Sequence, residues 1–207
     1  MVRLSDQNNL FLEVGSELPT FLLHGGFMDW YVVDKDYIRY LIQFDSRVGY
    51  VEYGEKLKLH VGVLLTVNGY HYYVPISSAK PKHKHMSNSL DFQKVQDVST
   101  GYLYAVLNLN NMIPVPDSCI TQLKYNQIDQ FRSFSTEKER TDYIYLLQKE
   151  KAIINSFHSA LQRKAEKLYE KCLRIPASSL ASRCCDFKLL EEKVNSYKAG
   201  QLDLKNA

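Results

Sequence analysis

Asn68-Gly69 sits between two apolar, β-branched runs, "LHVGVLLTV" (59–67) and "YHYYVPI" (70–76). A two-residue hairpin turn needs positive φ at its central positions, which Asn and Gly accept at least cost, so this pair is a strong hairpin signal. The first arm is apolar at nearly every position, which predicts a buried strand. Pro75, near the end of the second arm, brings no N–H to a ladder and predicts an edge or a strand terminus. Whatever this chain folds into has to be built around that hairpin.

The flanking sequence extends the pattern. "MDWYVV" starts a strand at Met28, and Asp34 can cap a helix over "DYIRYLIQF", whose Tyr37, Ile38, Leu41 and Phe44 recur at helical spacing. A polar loop follows, from Asp45 to about Lys56. Beyond the hairpin, "LDFQKV", "GYLYAVLNL" and "MIPVP" read as further strands, with Asn110-Asn111 between the last two. Thr136 and Glu139 have capping-box spacing. They open one long helix running to about Leu173, with Ile144, Leu147, Ile154, Phe157, Leu161, Ala165, Leu168 and Cys172 as its buried stripe. Pro176 ends it, and "CDFKLLEEKVNSY" predicts a last short amphipathic helix. The expected class is α+β: a compact, twisted, mostly antiparallel sheet with helices packed around it. Residues 1–27 break from this composition and end in Gly25-Gly26 before the Met28 strand. They read as an N-terminal extension outside the core, with the working domain at 28–207.

The 207 residues suit one domain, and 45% hydrophobic content supports a real core. A formal charge of +3 is too mild to point to nucleic acid by itself. Clustering is more informative: Lys80, Lys82 and Lys84 lie together, as do Arg163, Lys164, Lys167, Lys171 and Arg174, the second group reading as a solvated helix face. Cys119, Cys172, Cys184 and Cys185 show no CxxC spacing, and reduced thiols in the cytoplasm fit them best. The sequence shows no apolar run of membrane-spanning length and no basic-then-apolar leader pattern.

Chemistry concentrates in "HYYVPISSAKPKHKHMSNS" (71–89), where a strand and a proline lead into two serines, three lysines and two histidines. There is no phosphate-cradling glycine loop, no HExxH and no GxSxG elbow. His83 and His85, two apart, would share a face on a strand, but two ligands do not make a metal site. Lysine is a compact charge suited to phosphate oxygens, and serine can donate to phosphate or relay a proton. Serines that end a strand and lysines that keep an edge soluble explain the same segment. The residues alone favour that plainer account.

Three pieces in order shift the balance. "WYVVDKDYIRYLIQFDSRV", "VGVLLTVNGYHYYVPISSAKPKH", and "LNLNNMIPVP" with the late "CDFKLLEEK" resemble the ToxN/AbiQ family of endoribonuclease toxins of type III toxin–antitoxin systems. The resemblance spans about Met28 to Tyr197. It implies a twisted sheet akin to the SH3-like barrel of Kid/MazF toxins. It also implies RNA cleavage without a metal or other cofactor, leaving 2′,3′-cyclic phosphate and 5′-hydroxyl ends. The partners it implies are an RNA antitoxin of tandem pseudoknot repeats, which the toxin processes and is inhibited by within a protein–RNA assembly, and cellular and phage mRNA as substrates. An abortive-infection role against phage follows.

Carried over by position, the family's active-site serine falls on Ser78, preceded by the hydroxyl of Ser77. The following lysine falls on Lys80, the upstream tyrosine on Tyr53, and the upstream lysine on Lys58, with Lys56 as its alternative. Lys56, Lys82, His83, Lys84 and His85 are the RNA contacts expected around them, and His83 is a further candidate for handling a proton. Two rivals remain at this stage: an inert RNA-binding module on the same fold, and a protein-interaction barrel whose basic loop meets an acidic partner.

Overall fold

The computed structural model describes residues 21–22, 26–49 and 58–205. In chain order its elements are β1 (Phe21–Leu22), β2 (Asp29–Val33), α1 (Lys35–Ile42), β3 (His60–Val67), β4 (Tyr70–Ser78), α2 (Pro81–His85), β5 (Phe92–Gln96), β6 (Leu103–Asn108), β7 (Ile113–Pro114), β8 (Ile120–Gln122), α3 (Glu137–Ser156), α4 (His158–Arg174) and α5 (Phe187–Lys205), with short 3-10 turns between them. Asn68 and Gly69 take φ of 50° and 80°, as the turn chemistry requires. The hairpin they close is the centre of an antiparallel sheet ordered β5-β6-β4-β3-β2-β8, with β1 added to β3 and β7 to β4. Among the described residues β5 and β8 are the ends of this path and the sheet is open.

Local rules account for most boundaries. Asp34 caps α1, its Oδ1 accepting from the N–H groups of Asp36 at 2.7 Å and Tyr37 at 3.2 Å. Thr136 caps α3, its Oγ1 accepting from Glu139 N–H at 3.1 Å, while the Glu139 carboxylate turns back to Ser135 N–H at 2.9 Å. Gly62 in β3 is demanded by packing. A Cβ there would stand 2.2 Å from the Tyr73 ring, and the β3–β4 register shifts between Val61 and Leu65 beside it.

The helices bury the sheet's apolar face, and several of its aromatic residues have their polar ends paired. Trp30 Nε1 donates to the Leu147 carbonyl at 3.2 Å, and Tyr37 OH to the Pro114 carbonyl at 2.7 Å. Tyr72 of β4 and Tyr169 of α4 both donate to Glu191 Oε1 of α5, at 2.8 and 2.7 Å, with Phe187 packed against both rings. One buried carboxylate thus ties the central hairpin to two helices. No helix among the described residues is long and apolar enough to cross a membrane.

Four expectations need correction. The helix expected from Thr136 to Leu173 is two helices, because Phe157 leaves the helical region at φ −128°, ψ 19° and starts α4 at His158. "MIPVP" forms only a two-residue strand, since its prolines lack donors. The closing helix runs 19 residues, not a short segment. The serine–lysine loop is not a loop throughout: β4 continues through Ser78, and Pro81 opens the one-turn helix α2, where proline at the first position costs no hydrogen bond. His83 and His85 therefore do not share a face; His83 is buried and His85 exposed.

Candidate active site

The end of β4 is held between two strands. Ile76, Ser77 and Ser78 pair with Leu107, Val106 and Ala105 of β6, and His60 of β3 pairs with Pro75 on the other side. Alternation along β4 then sends Ser77 and Ser78 to opposite faces. Continuing the β3 register places Lys58 across from Ser77, and Lys58 Nζ donates to Ser77 Oγ at 3.1 Å. From β6, Asn108 Nδ2 donates to the same oxygen at 3.4 Å. A serine hydroxyl has two acceptor positions and one proton. With both acceptor positions occupied by N–H donors, the proton of Ser77 is left to be offered outward.

Lys58 is half-buried, and its ammonium is held below the ordinary lysine range, first by burial and then by the charge of Lys80. Two lysines near one strand end form a local positive site with no carboxylate bonded to either Nζ among the described residues. Beside them His60 is buried, and its Nδ1 finds no hydrogen-bond partner among the described residues. Burial, then the Lys58 charge, lowers its pKa to about 3, so it is neutral at physiological pH.

Ser78 is exposed at the last position of β4, and Lys80 is exposed two residues on. Lys80 is fixed by His83. Its backbone N–H donates to His83 Nδ1 at 3.1 Å, and its carbonyl accepts from the His83 N–H at 2.9 Å. The His83 ring packs against Phe92 at 5.7 Å between centroids. Burial, then Lys82, Lys80 and Lys94, keep this imidazole below the usual histidine range, which preserves Nδ1 as an acceptor. Lys82, Lys84 and His85 are exposed on α2. Lys94 Nζ donates to the Lys84 carbonyl at 2.9 Å, closing the end of that turn.

Ser77 and Lys58 are thus bonded at the end of β4, with the Lys80 charge close enough to act on Lys58, while Ser78, next in the strand, faces the other way; Lys82, Lys84 and His85 follow, exposed on α2, and His83 is buried. Tyr53 and Lys56 lie outside the described residues. Sequence reading missed Asn108, whose only signal was a polar residue inside the apolar "LYAVLNLNN", and His60, a lone histidine in an apolar strand. Arg163, Lys167, Lys171 and Arg174 are exposed on α4, as a solvated face should be, whereas Lys164 reaches Gln93 Oε1 of β5 at 2.7 Å. All four cysteines are buried, and none is in a disulfide. Among the described residues no three of His, Cys, Asp and Glu converge as a metal-binding group would.

Residues 29–195 match the family model of toxin ToxN of the type III toxin–antitoxin system. The chain belongs to the ToxN toxin family. It is 30% identical over 176 residues to the endoribonuclease ToxN of Bacillus thuringiensis subsp. kurstaki, covering 82% of this chain and 84% of that one. Its fold superposes on AbiQ, a lactococcal anti-phage endoribonuclease of the type III system, with a TM-score of 0.70 at 28% identity, covering 84% and 99% of the two chains. A second structure, from work on selective toxin inhibition by a non-coding RNA pseudoknot, gives a TM-score of 0.69 at 26% identity over 84% and 99%. The ToxN match begins one residue after Met28 and contains every described element from β2 to α4.

Proposed function

We propose that this chain is a metal-independent endoribonuclease toxin that cuts RNA through attack of a 2′-hydroxyl on the adjacent phosphorus. The observation that carries this reading is the Ser77 hydroxyl, with both acceptor positions taken by Lys58 and Asn108, in a strand end where the Lys80 charge also acts on Lys58. Such a group donates protons and positive charge to phosphate oxygens and offers little that would attract a cation. In the reaction the 2′-oxygen bonds to phosphorus, the bond to the 5′-oxygen breaks, and 2′,3′-cyclic phosphate and 5′-hydroxyl ends remain. Charge grows on the non-bridging oxygens in the transition state, where Lys58, Lys80 and Ser77 stabilise it. Proton transfer from the 2′-oxygen and to the 5′-oxygen is assigned to Tyr53 and Ser78, because His83 Nδ1 is already engaged by Lys80.

The relatives extend the proposal to partners. An RNA antitoxin with pseudoknot repeats inhibits the chain and is processed by it, in a protein–RNA assembly in the cytoplasm, as part of anti-phage defence. Lys56, Lys82, Lys84 and His85 contact the RNA around the site. An SH3-like barrel belongs to the same reading. It is supported by β4, which pairs β7 and β3 along its first part and β6 along its last three residues, as a strand does when it passes between two layers.

The test is cleavage of a labelled RNA by purified protein in EDTA, with the fragment ends mapped. Discrete fragments with cyclic-phosphate ends are expected. Activity lost on chelation and restored by a divalent ion would overturn the mechanism. RNA retained but never cut would leave only a binding module.

A further inference from the structure

We infer that Tyr102 and Tyr104 form a stacking platform for unpaired bases of the RNA strand that enters the Ser78–Lys80 site; this rests on the reading of that site as an RNA-cleaving centre. The two rings meet edge to face with centroids 4.6 Å apart, at the start of β6. Tyr102 is 61% exposed, an unusual position for a residue that gains so much from burial. The strand brings the pair to the site: the Ala79 N–H donates to the Tyr104 carbonyl at 3.2 Å, so Tyr104 lies across from the residue between Ser78 and Lys80.

The local backbone is shaped for display. Val95 pairs with Ala105 but Gln96 pairs with Leu103, so Tyr104 is the extra residue of a β-bulge. Bulges re-aim side chains and recur next to active sites. The hairpin beyond is held by Asp97, whose Oδ1 accepts from the N–H groups of Ser99 and Thr100 and from the Ser99 hydroxyl. Its N–H donates to the Tyr102 carbonyl at 2.9 Å. The aromatic pair therefore stands on rigid backbone.

Charge decides what covers it. Lys80, Lys82 and Lys84 are exposed on the adjoining segment, and Lys94 lies on the neighbouring strand. An exposed aromatic ring braced by a second one, beside a segment rich in ammonium groups, fits a chain whose bases stack and whose phosphates are anionic. An apolar protein partner would match the rings but leave the lysines unpaired.

Binding is measured with the full chain and a short mixed-sequence 2′-O-methyl RNA strand, which cannot be cut through its 2′-oxygen. An abasic strand of equal length and a duplex of the same sequence serve as comparisons. Tyr102→Ala is expected to weaken binding of the single strand by about tenfold, within the range for loss of one base stack. Tyr102→Phe and Tyr102→Trp should bind as the parent does. Affinity for the abasic strand and the duplex should not move, whereas Lys80→Ala should weaken all three. On cleavable RNA, Tyr102→Ala should raise KM and leave kcat. Tyr104→Leu, which keeps apolar volume in the half-buried position, should repeat the loss seen with Tyr102→Ala.

Equal binding by Tyr102→Ala and parent overturns the platform, as does an equal loss on the abasic strand. The two readings fail separately. A chain that binds through these tyrosines but cuts nothing loses its proposed activity and keeps the platform. A chain that cuts RNA with unchanged KM after Tyr102→Ala keeps the activity and loses the platform.

Discussion

Lys80 and His83 hold each other: the backbone N–H of Lys80 donates to His83 Nδ1 at 3.1 Å, and the His83 N–H donates back to the Lys80 carbonyl at 2.9 Å. A buried imidazole therefore sets the direction in which the exposed lysine leaves the strand. His83→Ala is expected to lower kcat by a few-fold to about tenfold, the scale of one hydrogen bond. His83→Asn, whose amide oxygen can accept near the Nδ1 position, should recover most of it. Its pKa, lowered chiefly by burial, means that Nδ1 stays an acceptor until the pH falls below the ordinary histidine range. Activity that follows a histidine titration near neutrality would show that His83 moves protons instead.

The strand-end donors should separate from the core in mutagenesis. Ser78→Ala, Lys80→Ala and Lys58→Ala are each expected to reduce cleavage by roughly 10²- to 10³-fold, typical for the loss of one preorganised donor. Thermal unfolding of the Ser78 and Lys80 variants should hardly change, since both side chains are exposed. A folded Ser78→Ala chain that cuts RNA at the parental rate would return the segment to a polar strand end.

Lys58 should also mark the alkaline side of the pH profile. Its ammonium is destabilised first by burial and second by Lys80, so kcat/KM should fall at a pH below the ordinary lysine range as this donor loses its proton. In Lys80→Ala the residual activity should persist to higher pH, because one source of the shift is gone. An alkaline limb that stays in place in that variant would disconnect the two lysines.

His60 predicts the acid side of stability. Its pKa is about 3 folded against 6.5 in the open chain, so between these values the unfolded state binds the extra proton. Stability then rises with pH across that window and is lost as pH falls from about 6.5 towards 3, with a slope of up to about 1.4 kcal/mol per pH unit. His60→Leu, which cannot charge, should flatten this part of a urea-denaturation series. An unchanged slope would place the sensitivity elsewhere.

Glu191 gathers the hydroxyls of Tyr72 and Tyr169 and the ammonium of Lys188. Glu191→Ala leaves a fully buried Tyr72 hydroxyl with only the long 3.4 Å contact to the Phe187 carbonyl. A destabilisation of about 2–4 kcal/mol is expected, with cleavage per folded molecule unchanged. A parental midpoint in chemical denaturation would contradict this account of the core.

Within 1–27, the described Phe21 and Leu22 pair with Val67 and Thr66 of β3. A chain beginning at Met28 keeps β2 and the bonds between Met28 and Asn155. Its toxicity in cells is expected to equal that of the full chain; a large loss in a folded truncation would make the extension a working part.

Short-range chemistry was readable in the sequence because it is local. A φ > 0 pair at Asn68-Gly69, the Asp34 and Thr136 caps, and the apolar periodicity of β3 and α4 need only neighbouring residues to act. The strand-end segment was legible in the same way: Pro75, the two serines and the lysines are adjacent in the chain. Tertiary structure decided the rest. The bridge from Lys58 to Ser77 spans 19 positions and that from Asn108 to Ser77 spans 31, so both depend on strand register, which no single segment encodes. The break at Phe157 was hidden because the apolar period runs through it, and only packing shows where the helix turns. His83 looked like a free loop base until α2 folded over Phe92 and turned it inward. Hydrogen-bond partners distant in sequence meet because burying the apolar faces of the sheet sets one register, and that register turns two serines into one that faces Lys58 and one that faces solvent.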